Sequence, residues 1–211
     1  MIRVLIVDDH ILVRTGIELI LEDAEGIKVI GTAADGEEAI LKARELDPDI
    51  ILMDVKMPGI GGVEATRKIT RLKPNISIIG LTSSGDEPFL QRMLQVGAKG
   101  YLTKGNSHEE VVRAINLVAN GQFYVDPTLA SGMLVRDPLN ANPFTQLSER
   151  EMQVTLMLVS CQKVQEIADS LFVSPRTINT YRYRIFEKLA VRNDVELTHL
   201  AIRHKLIDVT D

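Results

Sequence analysis

The stretch IRVLIVDDH, from Ile2 to His10, decides how the rest of the chain is read. Its first six residues are dominated by Val, Ile and Leu without polar alternation, the pattern of a strand buried on both faces. Such a strand belongs in a parallel sheet covered by helices. It ends, however, on two adjacent carboxylates, Asp8 and Asp9, instead of ordinary turn residues. Crowded carboxylates repel one another and raise each other's pKa unless a cation lies among them.

Outward from that stretch, short apolar runs alternate with helix-period segments through the first 120 residues. Strands are expected at Arg3–Val7, Lys28–Thr32, Asp49–Met53, Ile76–Leu81 and Lys99–Leu102. Helices are expected at Ile11–Glu22, Gly36–Leu46, Val63–Leu72, Glu87–Val96 and His108–Asn120. Strand-helix alternation of this kind predicts a doubly wound α/β domain with a five-stranded parallel sheet. Asp47-Pro48, Lys73-Pro74-Asn75 and Gly97 punctuate it. From Gly121 to Thr145 the periodicity fades among Pro127, Pro138, Asn140, Asn142 and Pro143, which predicts a linker with one short helix around Thr128–Leu134.

Beyond the linker every periodic segment is helical. Ser148 and Glu151 form a capping box, with Leu147 and Met152 as its apolar staple. Helices are expected at Glu149–Ser160, Val164–Leu171, Pro175–Leu189 and Val195–Arg203. Ser174 caps the third of these and Pro175 takes its first position. With so short a turn before it, the middle pair resembles a helix-turn-helix. The expected organisation is therefore residues 1–121, a linker over 122–145, and an all-α domain over 146–211.

Charge divides the chain the same way. Residues 1–130 carry 14 Lys+Arg against 19 Asp+Glu, and residues 131–211 carry 10 of each. Neither part is basic enough to signal nucleic acid by bulk charge, so that reading needs a local patch. No apolar run approaches the roughly 20 residues that span a bilayer. The N-terminus lacks an export signal, and the single cysteine, Cys161, excludes an internal disulfide. A cytoplasmic protein without a membrane partner is expected.

In an open parallel sheet, ligands gather at the carboxyl ends of the strands. With strand order 2-1-3-4-5, Asp8, Asp9, Asp54, Thr82 and Lys104 converge on one rim. The oxygen ligands suit Mg²⁺, and a carboxylate can itself accept a phosphoryl group. Asp54, alone at the central strand end, is the best acceptor. Lys104 and Thr82 would neutralise phosphoryl oxygens. None of the four histidines shows ligand pairing, and the glycines at 59, 61 and 62 read as a loop, not a nucleotide-binding motif.

"VLIVDDH", "DIILMDVKMPGIGG", "IIGLTSS" and "AKGYLTKG" together resemble the receiver domain of two-component response regulators, with its flavodoxin-like fold. The resemblance implies phosphorylation of Asp54 by a sensor histidine kinase. It also implies Mg²⁺ held by Asp9, Asp54 and the Lys56 carbonyl, with Asp8 assisting through water. Thr82 and Lys104 then move toward the phosphoryl group, and Tyr101 turns inward as the switch. Gly105 stands where receivers usually carry proline.

On Pro175–Leu189, the residues Ile178, Tyr181, Ile185 and Leu189 share one side at helical spacing. Arg176, Asn179, Thr180 and Tyr183 project from the other, flanked by Arg182, Arg184 and Lys188. Short polar groups for base edges beside longer cations for phosphates form the layout of a recognition helix. The spacing of Glu166-Ile167-Ala168, Leu171, Val173-Ser174, Thr177-Ile178 and Lys188-Leu189 resembles LuxR-type domains of the NarL/FixJ subfamily. "YRYRIFEKL" and "DVELTHLAIRH" bring it nearest the GacA/UvrY/LetA group.

That resemblance implies a transcription regulator on double-stranded DNA, a homodimer when phosphorylated. It also implies a BarA/GacS/LetS-like hybrid kinase as donor, and activation of small regulatory RNA genes in a Csr/Rsm-type pathway. The competing reading is an Mg-dependent aspartyl-phosphate phosphohydrolase with Asp54 as nucleophile. That chemistry wants a second acid two residues on, where Lys56 stands. The chain is expected not to be an enzyme beyond slow loss of its own phosphoryl group.

Overall fold

The computed structural model describes residues 1–83, 87–129, 142–204 and 206–207, and the chain divides into two compact units, Met1–Val135 and Arg136–Asp211. The first unit runs β1 (Ile2–Val7), α1 (Ile11–Glu22), β2 (Ile27–Ala33), α2 (Gly36–Leu46), β3 (Ile50–Asp54) and α3 (Gly61–Leu72). It continues with β4 (Ser77–Thr82), α4 (Glu87–Gln95), β5 (Gly100–Thr103), α5 (His108–Ala119) and β6 (Tyr124–Val125). The strands lie in the order β2-β1-β3-β4-β5-β6, all parallel.

The expected order 2-1-3-4-5 is present, with a sixth strand added at the edge. Tyr124 and Val125 fall inside the stretch expected as linker. Two residues are too few to show a period, so their pairing with Gly100 and Tyr101 is decided by β5's free edge. The short helix expected around Thr128–Leu134 lies largely outside the described residues.

Both faces of the sheet are buried. Val4, Ile6, Ile50, Leu52, Ile79, Leu81 and Leu102 form one core with Leu21 of α1 and Val111, Ala114, Ile115 and Val118 of α5. The alternate residues Leu5, Val7, Ile51, Met53, Ile78 and Tyr101 are fully enclosed on the opposite face. This double burial is why β1 and β3 carry apolar runs without alternation.

The second unit holds a 3₁₀ turn (Pro143–Gln146), then α6 (Glu149–Val159), α7 (Val164–Ser170), α8 (Pro175–Leu189) and α9 (Asp194–Arg203). Ser148 caps α6 with the expected box: its hydroxyl accepts from the Glu151 N–H, and the Glu151 carboxylate accepts from the Ser148 N–H at 2.7 Å. Ser174 caps α8, its hydroxyl accepting from the Thr177 N–H at 3.1 Å, with Pro175 in the first turn. Phe144, Val154, Ile167, Ala168, Ile178, Ile185, Leu197 and Ala201 are all fully buried in this unit.

Candidate functional site

Register brings the acidic residues together. Val7 pairs with Met53, Asp54 with Leu81, and Thr82 with Thr103, so the strand ends are level to within a residue. The chain leaves β1 toward β2 on one side and β3 toward β4 on the other. Asp8 and Asp54 therefore flank the point where the connections diverge.

Asp8 is fully buried and Asp54 nearly so. The Lys104 ammonium bridges them, 2.7 Å from Asp8 Oδ2 and 3.0 Å from Asp54 Oδ2. Asp54 Oδ1 accepts the Lys56 N–H at 3.2 Å. Burial pushes the Asp54 carboxyl up to about 7, with Lys104 pulling down and Asp8 pushing further up. For Lys104, burial opposes the charge, but Asp54 and Asp8 outweigh it and hold the ammonium above the usual lysine value. Thr82 is buried at the end of β4, its hydroxyl donating to the Ser83 carbonyl at 3.0 Å.

Ligand atoms of Asp8, Asp9, Asp54 and His10 lie within 4.8 Å of one another. Asp8 Oδ2, Asp9 Oδ1 and Asp54 Oδ2 are enclosed, the first and third facing the Lys104 ammonium and the second His10 Nδ1. Three carboxylates around one point, one of them with a strongly raised pKa, fit a hard divalent cation.

His10 stands beside these carboxylates, its Nδ1 2.8 Å from Asp9 Oδ1 and 3.4 Å from Asp8 Oδ1. Its place in the chain, directly after the two acids, brings it there. Gly62, expected as loop, lies in the first turn of α3. A Cβ there would stand 2.0 Å from the Asp54 carbonyl oxygen, so α3 can start against β3 only with glycine at this position.

Tyr101, expected to turn inward as the switch, lies inside the first unit. It is fully enclosed, its ring beside Gly80, whose added Cβ would lie 2.7 Å from Tyr101 Cδ2. The inward position is accommodated by a glycine on the neighbouring strand.

On α8, Ile178, Ile185 and Leu189 are buried and Tyr181 half-buried, as the periodicity predicted. Arg176, Thr180, Tyr183 and Arg184 are exposed, and Asn179 is half-exposed. Two expected DNA contacts are engaged elsewhere. Arg182 forms a two-pronged ion pair with Asp194 of α9 and lies 5.5 Å over the Phe186 ring. Lys188 reaches the buried Glu151 carboxylate at 2.6 Å. Both partners precede or follow α8 in sequence by more than a helical turn, beyond the reach of a periodicity argument.

Residues 4–116 match the response regulator receiver domain, and residues 145–201 match the LuxR family of bacterial regulatory proteins. The chain is a two-component response regulator with a LuxR-type DNA-binding domain. It is 56% identical to the response regulator GacA of Pseudomonas protegens over the full length of both chains. It is 51% identical to UvrY of Escherichia coli K12, covering 98% of this chain and 96% of that one. Among solved structures it resembles RcsB of Salmonella enterica serovar Typhimurium, bound to promoter rprA in the presence of phosphomimetic BeF3⁻. The TM-score there is 0.73 at 27% identity, covering 95% of this response regulator and 98% of RcsB. In this response regulator the receiver holds the acidic cluster and the LuxR-type domain holds the helix-turn-helix.

Proposed function

We propose that this response regulator accepts a phosphoryl group on Asp54 from the phosphohistidine of a sensor histidine kinase, and that the modified chain regulates transcription by binding specific DNA. The observation that carries this reading is the meeting of buried Asp54 with Asp8, Asp9 and Lys104 at the level ends of β1, β3 and β5. An Asp54 carboxylate oxygen forms the new P–O bond as the P–N bond breaks, and the kinase imidazole keeps that electron pair.

Asp9, Asp54 and the Lys56 carbonyl would hold Mg²⁺, with Asp8 assisting through water. The ion supplies neutralisation of phosphoryl charge. Lys104, already 3.0 Å from Asp54, turns to the phosphoryl oxygens, and the Thr82 hydroxyl approaches them from β4. Asp54 is modified once per chain and is not a turnover nucleophile. Similarity to GacA and UvrY supports a hybrid kinase of the BarA/GacS/LetS kind as donor and genes of small regulatory RNAs in a Csr/Rsm-type pathway as targets.

Incubation of the full chain with Mg²⁺ and acetyl phosphate tests the acceptor. The expected result is one acid-stable phosphoryl group per chain in the wild type and none in Asp54→Asn. Normal labelling of Asp54→Asn overturns the assignment, and sustained release of phosphate at many turnovers per chain favours the phosphohydrolase.

A further inference from the structure

Lys104 opens a turn beyond β5, its N–H donating to the Thr82 carbonyl of β4 at 2.7 Å. Lys104 and Gly105 are the two central residues between Thr103, which ends β5, and Asn106. A Cβ at Gly105 would meet nothing within 4 Å, so packing does not hold the turn there. The lysine must nevertheless place its ammonium between two buried carboxylates.

The turn is held by Asn106. Its Oδ1 accepts from the Thr103 N–H at 2.7 Å and from the Thr103 hydroxyl at 2.8 Å. Its own N–H donates back to the Thr103 carbonyl at 3.1 Å. Its Nδ2 donates to Glu110 of α5 at 2.7 Å and to Asp126, just beyond β6, at 2.6 Å. Both lone pairs and both hydrogens of the side-chain amide are therefore used. Asp126 is itself buried and fixed, since its other oxygen accepts from the Thr128 N–H at 2.7 Å and the Thr128 hydroxyl at 2.6 Å. Its backbone N–H donates to the Tyr101 carbonyl at 3.0 Å.

We propose that Asn106, anchored on Asp126 and Glu110, is a positioning residue for Lys104, closing the turn that aims the ammonium at Asp54. This rests on the phosphoacceptor reading above. The bonds around Asn106 fix both ends of a four-residue turn, and Lys104 is left with its side-chain torsions alone to find the carboxylates. The sixth strand gains a purpose in the same step, because it carries Asp126 to the turn.

The test is a double-substitution cycle on the full chain, following the rate of Asp54 phosphorylation by acetyl phosphate with Mg²⁺. Asn106→Ala should slow phosphorylation about tenfold at saturating phosphodonor, with the melting temperature checked alongside. In a Lys104→Ala background the same substitution should cost nothing further, since its effect passes through the lysine. Asn106→Asp keeps the acceptor for Thr103 but sets a carboxylate against Asp126 and Glu110, and should slow labelling as Asn106→Ala does. Wild-type labelling rates in Asn106→Ala overturn the proposal, as does an equal loss in both backgrounds, which marks a purely structural role. Absence of labelling in the wild type itself instead removes the phosphoacceptor reading, and this proposal with it.

Discussion

At the scale of single residues, the first unit keeps two buried carboxyls in opposite electrostatic settings. Burial lifts Asp54 from 3.8 to about 7 despite Lys104, whereas at Asp126 burial is outweighed by hydrogen bonds from Thr128, Asn106 and the local backbone, leaving its pKa lowered. The signs follow by linkage. Asp54 contributes stability that is complete below its unfolded value and is lost as pH rises through about 7. Asp126 contributes stability that is present above its unfolded value and is lost as pH falls through its depressed one. Asp54→Asn should therefore raise the melting temperature of the metal-free chain at pH 8 and leave it almost unchanged at pH 4. Circular dichroism melts at the two pH values check this, and an equal shift at both would mean that the buried charge is not the cause.

At the scale of elements, α8 shows how packing redistributes charge that a helical projection treats as equivalent. Its basic residues Arg176, Arg182, Arg184 and Lys188 all lie off the buried stripe. Tertiary contacts assign Arg182 to Asp194 and Lys188 to Glu151, which leaves Arg176 and Arg184 with no ion pair among the described residues. Arg176→Ala should weaken DNA binding across sequences and lower the dependence of log K on log salt by about one contact. Arg182→Ala should act chiefly on stability, costing about 1 kcal/mol as a partly exposed ion pair, with a smaller change in the salt slope. Asn179→Ala and Tyr183→Ala, lacking charge, should lose specific binding more than non-specific binding. Fluorescence anisotropy titrations at several salt concentrations, beside urea unfolding, separate these outcomes.

The helices that bear these residues were legible from sequence to within one or two residues, because caps and apolar spacing are local. Ser148-Glu151 and Ser174-Pro175 are such local signals, and both caps are found where expected. The partners of Arg182 and Lys188 were not legible, since they depend on which helix faces α8. The same holds for β6, whose two residues acquire strand geometry from a neighbour's edge.

At the scale of the whole molecule, two units with separate chemistry share one chain, and the proposed regulation requires the state of Asp54 to alter DNA binding. A symmetric dimer presenting two copies of α8 to an inverted repeat is the economical arrangement. Sedimentation velocity of the full chain should show a monomer shifting toward dimer after phosphorylation with acetyl phosphate, and no shift for Asp54→Asn. A dimer of unchanged strength in all three samples would place the control elsewhere.

The sequence alone determined the order of strands and helices, the division into an α/β and an all-α part, and the convergence of Asp8, Asp9, Asp54, Thr82 and Lys104 on one rim. These follow from periodicity, from caps, and from the rule that loops at strand ends meet at one edge. Tertiary structure alone decided the distances that make the rim a site, with Lys104 bridging Asp8 and Asp54. It also decided that His10 joins the carboxylates, that Tyr101 is enclosed beside Gly80, and that Asn106 meets Asp126 across 20 residues of chain. Local patterns set which residues lie on a face or at a strand end. Contacts between distant segments depend on sheet register and helix packing, which no short window of sequence encodes.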